Sequence, residues 1–181
     1  PALTTLTDYR PKLRMGTFPA DGVLLGGFGE ERRNFLPIAQ IPKVMQDAVL
    51  AAEDARFYQH SGVNYVSVIR AGLANFGESR SAQGASTITM QVARNFYLST
   101  EKTLTRKIYE VLLSLKIESV LTKEQILEVY MNHIALGQRA YGFASASEIY
   151  FGKPLKDITV AEAAMLAGLP KAPDSFNPVV N

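Results

Sequence analysis

Glu53 and Asp54 close an apolar helical row, and that position makes them the first residues to read for chemistry. In Ile41–Gly62, IPKVMQDAVLAAEDARFYQHSG, Pro42 suits a first helical turn, which would leave the amide hydrogen it lacks unpaired anyway. Val44, Met45, Ala48, Val49 and Ala52 then recur at helical spacing and describe one buried stripe. Glu53 extends the Met45–Val49 row by a turn, and Phe57 and His60 follow at i+4 and i+7. An unpaired carboxylate on the rim of an apolar face is costly. The same setting raises a carboxyl pKa toward the range useful for proton transfer. The plainer reading is a surface Glu–Asp pair where the helix frays, with His60 capping its end. By itself the stretch favours the plainer reading.

Two further polar islands follow. Thr87–Tyr97, TITMQVARNFY, predicts a helix with Ile88, Val92 and Phe96 inward and with Gln91, Arg94 and Asn95 offering directional polar groups. Ser86 and Thr87 are N-capping types, and a helix starting there presents free amides and a positive dipole end to an anion. Most serines at such positions only cap. Leu104, Ile108, Leu112 and Leu115 mark a long helix continuing through Ser119. On it Arg106 and Lys107 precede Glu110 by four and three residues, and Lys116 lies further along. Ordinary salt bridges of about 0.2–0.5 kcal/mol account for that spacing. A phosphate-bearing ligand beside a carboxylate held by cations accounts for it equally well.

The elements that must carry these islands read as mainly helical. Residues 1–36 lack helical periodicity. The turn former Ala20-Asp21-Gly22, the run Val23–Leu25 and Gly26-Gly27-Phe28-Gly29 predict a small hairpin or extended arm. Glu30–Arg33 reads as solvated charge. Val66, Ile69, Leu73 and Phe76 mark an amphipathic helix after the acidic pair. Asn75–Ser86 is then a polar loop expected to move readily, either a lid over the acidic pair or a plain surface loop. Thr122 and Gln125 fit a capping box before Ile126, Leu127, Tyr130, Met131 and Ile134, a helix that Gly137 should end. A helix over Tyr141–Tyr150 follows, and Thr159 and Glu162 repeat the box before Ala161–Ala167.

With 181 residues the chain fits one domain with a real core. A net charge of +2 is too small to argue for nucleic-acid binding. No run approaches the roughly 18 apolar residues of a membrane span, and no signal peptide is recognisable. The chain is thus either soluble throughout or trimmed from an anchor, with Pro1 as first residue fitting a trimmed fragment. Absence of cysteine excludes disulfides and thiol chemistry, and two histidines exclude a multi-histidine metal site. A site using Asp or Glu with a substrate phosphate stays open. Walker, dinucleotide and H-E-x-x-H signatures are missing.

Taken in order, the islands are Glu53-Asp54-x-x-Phe57-x-x-His60-x-Gly62, then Gly84–Asn95 (GASTITMQVARN), then Arg106-Lys107-Ile108-Tyr109-Glu110. Ile126-Leu127-Glu128-x-Tyr130-x-Asn132 with Gly137 comes next, followed by Gly142–Lys153 and Glu162–Pro170. This ordered set resembles the motifs of the peptidoglycan glycosyltransferases (family 51 type). They form the lysozyme-like polymerising domain of class A penicillin-binding proteins and of related monofunctional enzymes. The likeness covers about residues 20–178, and Gly27–Arg33 looks nearer to the 1A-type bifunctional proteins. Two departures stand out. The family's Gln-Gln pair is Met90-Gln91 here, and Arg94 stands where lysine is common.

The resemblance implies a mainly α, lysozyme-like domain over 37–178 with a short extended or hairpin arm over 1–36. It also implies a mobile, membrane-facing segment over 63–86. The implied reaction polymerises lipid II into β-1,4-linked glycan with inversion, releasing undecaprenyl pyrophosphate. The implied base is Glu53, beside its apolar shoulder. Glu110 would orient cations, contact a divalent cation (Mg2+ or Mn2+) or carry a proton. Asp54, Ser86, Thr87, Gln91, Arg94, Arg106, Lys107 and Lys116 are the implied substrate and phosphate contacts. Phe57, His60, Gly62 and Asn132 are the implied structural neighbours. The partners would be lipid II, the nascent glycan strand and a membrane. In a full-length protein a transmembrane helix and a transpeptidase domain would be attached, at the periplasmic or outer face of the bacterial cytoplasmic membrane. A glycan-cleaving lysozyme-like enzyme and a noncatalytic scaffold are the alternatives. The cations after the second motif argue for a pyrophosphate donor.

Overall fold

Pro42 and the row behind it do form a helix. In the computed structural model, which describes residues 15–17, 26–28, 32–66, 68–69, 86–97 and 103–171, α1 spans Lys43–Glu53. Its inward row is Ile41, Met45 and Val49, a four-residue repeat that Glu53 continues half-buried. Val44 and Ala48 are half-buried, while Ala52, expected in the stripe, is exposed in the last turn. Further helices are α2 (Ile88–Tyr97), α3 (Leu104–Glu118), α4 (Lys123–His133), α5 (Phe143–Phe151) and α6 (Val160–Gly168), and residues 65–66 and 68–69 are also helical. Single 3-10 turns occupy Ile38–Gln40, Phe57–Gln59, Leu155–Asp157 and Leu169–Lys171. The architecture is mainly helical, as the lysozyme-like reading requires. Residues 70–85 of the expected membrane-facing segment, with Leu73, Phe76 and nearly all of the expected lid, and the tail beyond Lys171 lie outside the described residues.

Two compact units divide the chain, one over Val49–Tyr130 and the other over Ala2–Ala48 with Met131–Asn181. In the first, α2 packs on α3. Phe57, Ile88, Val92, Ala93, Ile117, Ile126 and Leu127 are buried there. Thr103 caps α3 by accepting the Arg106 amide at 3.1 Å. The periodic apolar residues that mark α3 in the sequence face outward: Ile108, Leu112 and Leu115 are exposed. Glu110, Ser114 and Ile117 form its buried row instead.

In the second unit, β1 (Met15–Thr17) and β2 (Gly26–Phe28) pair antiparallel with Met15 opposite Phe28, the hairpin arm. Arg32–Arg33, read from sequence as solvated charge, is strand β3 and pairs in parallel with β4, Ala140–Tyr141. That pairing explains why α5 starts at Phe143 and not at Tyr141. It also explains why α4 ends at His133, before Gly137. Leu136 N–H must reach Ala140 O at 2.9 Å, and Gly137, Gln138 and Arg139 take positive φ to turn the chain. Asn132 stitches the 34–36 segment, accepting from Leu36 N–H and donating to Leu36 O, each at 2.8 Å. Ser145 Oγ accepts from Asn34 N–H at 2.9 Å.

Both predicted capping boxes form. Thr122 and Gln125 exchange bonds of 2.9 and 3.2 Å. In the second box, Thr159 N–H and its hydroxyl donate to Glu162 Oε2 at 2.8 and 2.7 Å. Lys153 Nζ pairs with the same oxygen at 2.7 Å. Lys153 first, and then the Thr159 donors, lower the Glu162 carboxyl from 4.5 to about 2. A depressed carboxyl stabilises the fold above its unfolded value, and that contribution fades as pH falls from 4.5 through about 2. Glu162→Gln should therefore melt below wild type at pH 7, and the gap should close toward pH 2. Thermal unfolding across that range measures it, and an unchanging gap contradicts the assignment.

Candidate active site

The two neighbouring carboxylates at the end of α1 have opposite surroundings. Glu53 is half-buried and accepts from Gln91 Nε2 at 2.7 Å. Asp54 is buried and receives His60 Nε2 at 3.0 Å on both oxygens. Ile88 N–H, in the first turn of α2, also donates to Asp54 Oδ2 at 3.1 Å. Asp54 thus does the work of a helix N-cap across 34 residues of sequence. This corrects one expectation: His60 grips Asp54 and does not cap α1. Asp54 is enclosed, with both oxygens engaged by His60 and Ile88.

Thr87 is the second residue that holds the start of α2. Its Oγ1 donates to Gly62 O at 2.6 Å and accepts from Met90 N–H at 3.1 Å. Buried and bonded both ways, it caps the start of α2. Gly62 has φ +91°, and a Cβ there would stand 2.9 Å from Ser114 O, a backbone atom that cannot swing away. Gly62→Ala should lose about 1–3 kcal/mol of stability from the left-handed backbone alone, more with the clash, measured by chemical unfolding. A wild-type midpoint would contradict this packing. Phe57 is buried in edge-on contact with Tyr58 and His60 at 5.2 and 6.3 Å, and Lys123 Nζ lies 4.3 Å over its ring. Lys123 and Thr89 both bond Glu118 Oε1 at 2.6 Å. Nothing in the periodicity signals this brace.

α2 carries the site's two halves on successive positions of one face, since Gln91 and Arg94 are three residues apart. Gln91 reaches Glu53, and Arg94 Nε donates to Glu110 Oε1 at 2.9 Å. Glu110 has no solvent exposure, and three cations compensate it. Lys107 Nζ bonds Glu110 Oε2 at 2.9 Å, and Arg106 Nε approaches Oε1 at 3.3 Å. Lys107 also donates to Ser86 Oγ at 2.8 Å, so Ser86 joins the cluster through a cation. The side chains of Arg94 and Lys107 remain 37% and 42% exposed. Lys116 is exposed on α3 and, among the described residues, is not one of the cations paired with Glu110.

A family model described as a transglycosylase matches residues 21–181. The chain belongs to the transglycosylase family. Over all 181 residues it is 57% identical to penicillin-binding protein 1A of Neisseria lactamica and to that of Neisseria gonorrhoeae. It spans 23% of the length of each. A crystal structure of penicillin-binding protein 1A from Haemophilus influenzae matches 93% of the chain and 16% of its own, with 28% identity and a TM-score of 0.45.

Within this transglycosylase domain the burial of Met90 bears on one departure from the family motif. Met90 is buried in the core, so the side chain that replaces the first glutamine faces away from solvent. Asn132 lies in the second unit, where its bonds to Leu36 make it structural. Tyr130, read from sequence as a helix position of the fourth motif and given no role, donates its hydroxyl to Gln91 Oε1 at 3.4 Å. Burial raises the Tyr130 phenol well above 10, the Glu53 charge adds to this, and Arg94 opposes it. The clue was available, since a buried tyrosine ring needs a partner for its hydroxyl. Among the described residues no helix is long and apolar enough to cross a membrane, and no three His, Cys, Asp or Glu side chains gather to hold a metal.

Proposed function

We propose that this transglycosylase domain polymerises lipid II, with Glu53 as general base. The observation that carries the reading is the pairing, on one face of α2, of a half-buried carboxylate held by Gln91 with a cation cluster organised by Glu110. Glu53 takes the proton from the GlcNAc 4-hydroxyl of the acceptor as that oxygen bonds to the anomeric carbon of the donor. The bond from that carbon to pyrophosphate breaks, and the α-linked donor becomes a β-1,4 linkage in one inverting step. The inverting glycosidases are the nearest physical analogy, with a sugar hydroxyl in place of water.

The leaving pyrophosphate needs charge neutralisation, and the partly exposed Arg94 and Lys107 are placed to supply it. A lysine at 94 would have one nitrogen for Glu110 and ligand alike, whereas arginine has three. Glu110 keeps the cations in position, which supports the orienting role among those expected. As a ligand for Mg2+ or Mn2+ it fits poorly: cations hold both its oxygens, and no second carboxylate joins it among the described residues. No step here is routed through a metal.

Lipid II places the domain against a bilayer, at the periplasmic or outer face of the cytoplasmic membrane. Tyr65, Val66, Val68 and Ile69 are exposed in the segment expected to face it, as are Ile108, Leu112 and Leu115 on α3. In the full-length protein a membrane anchor and a transpeptidase domain would accompany this one, in keeping with relatives named penicillin-binding protein 1A. Incubation with lipid II followed by product separation tests the reading. Polymer supports it, cleavage of preformed glycan would favour a lytic enzyme, and binding without turnover would leave a scaffold.

A further inference from the structure

We infer that Tyr130 is a positioning residue for Glu53, acting through the side-chain amide of Gln91. The three side chains form one directed line. The Tyr130 hydroxyl donates to Gln91 Oε1 at 3.4 Å, and Gln91 Nε2 donates to Glu53 Oε2 at 2.7 Å. An amide can present either its oxygen or its nitrogen to a neighbour, and the choice decides what Glu53 meets. With its N–H toward Glu53 it steadies a carboxylate. Turned over, its oxygen would face the carboxylate oxygen, two acceptors in contact. Donation from the phenol favours the first orientation, because the amide oxygen is then the group that must face Tyr130. The phenol keeps its proton to donate, because burial and the Glu53 charge both oppose its ionisation.

The geometry around the line restricts alternatives. The Tyr130 ring is buried, on α4, beside the buried Ile126 and Leu127 of the same helix. Gln91 is fixed on α2, whose first turn Asp54 and Thr87 hold. Glu53 ends α1, with one Glu53 oxygen taken by the amide. The carboxylate is therefore set by two rigid helices and not by its own rotamer preferences, which is what a base requires to meet a hydroxyl at hydrogen-bond distance.

This inference rests on Glu53 being the base, and its test separates the two claims. In full-length enzyme or this domain, Tyr130→Phe keeps the buried ring and removes only the donor. Its kcat for lipid II polymerisation should fall about tenfold, the scale of a modest loss of alignment, with KM within about twofold of wild type. Gln91→Ala should lose at least as much, and the double variant should be no slower than Gln91→Ala alone, because both changes cut one line. The Gln91 side-chain amide resonances, followed by NMR, should shift in Tyr130→Phe while the thermal midpoint holds. Wild-type kcat in Tyr130→Phe beside an inactive Glu53→Gln overturns the relay alone, as do losses that multiply in the double variant or an unmoved Gln91 amide. If Tyr130→Phe unfolds, Tyr130 is structural and the relay is likewise overturned. An active Glu53→Gln removes the base reading, whatever the amide resonances do.

Discussion

Glu110→Gln is expected to damage the domain twice, in stability and in turnover. The carboxylate has no solvent exposure and is bonded or paired to Arg94, Arg106 and Lys107. Removing one side of a buried ion pair costs about 3–5 kcal/mol, because the charge left behind is uncompensated. Arg94 and Lys107 keep substantial solvent contact, so a loss below that range, about 2–3 kcal/mol, is expected here. Turnover should fall further than stability explains. Without the shared carboxylate, three cations repel one another and lose the spacing proposed to meet pyrophosphate. Unfolding by denaturant gives the first quantity, and polymerisation at a temperature where the variant is folded gives the second. Wild-type stability would contradict the buried cluster. Wild-type turnover in a folded variant would contradict its proposed role.

How legible the site was depended on whether its partners lay near one another in sequence. The row Ile41, Met45, Val49 runs into Glu53 at a constant four-residue spacing, so the position of the carboxylate at a helix end was readable. Arg106, Lys107 and Glu110 lie within one turn of α3 and were readable for the same reason. The enclosure of Asp54 was not readable, because one of its partners is a backbone amide 34 residues away. The orientation of Gln91 depends on Tyr130, 39 residues further on, and periodicity carries no such long-range information. Outside the site, the α3 repeat Ile108, Leu112 and Leu115 shows the limit of apolar spacing. Spacing locates a face of a helix without saying what covers it, and here the polar-looking row with Glu110 and Ser114 is the buried one. Similarly, β3 and β4 pair across more than 100 residues, a backbone pairing that the charges of Arg32–Arg33 did not signal.

Glu53→Gln carries the largest expected kinetic effect. The substitution keeps the size of the side chain and an oxygen for Gln91 Nε2, so the α1–α2 contact and the fold should survive. It removes the ability to take a proton from the acceptor hydroxyl. General bases contribute about 10²- to 10⁴-fold, and the loss should fall in that range. The reaction offers no evident substitute, since Asp54 is enclosed by His60 and Ile88 N–H, and cations surround Glu110.

The most direct measurement is single-turnover polymerisation of lipid II by Glu53→Gln and wild type, at saturating enzyme and with matched thermal midpoints. Loss of chain extension by at least about a hundredfold, with lipid II still bound, is the result expected of a general base. Chain extension at a near-wild-type rate would contradict Glu53 as the residue that removes the proton.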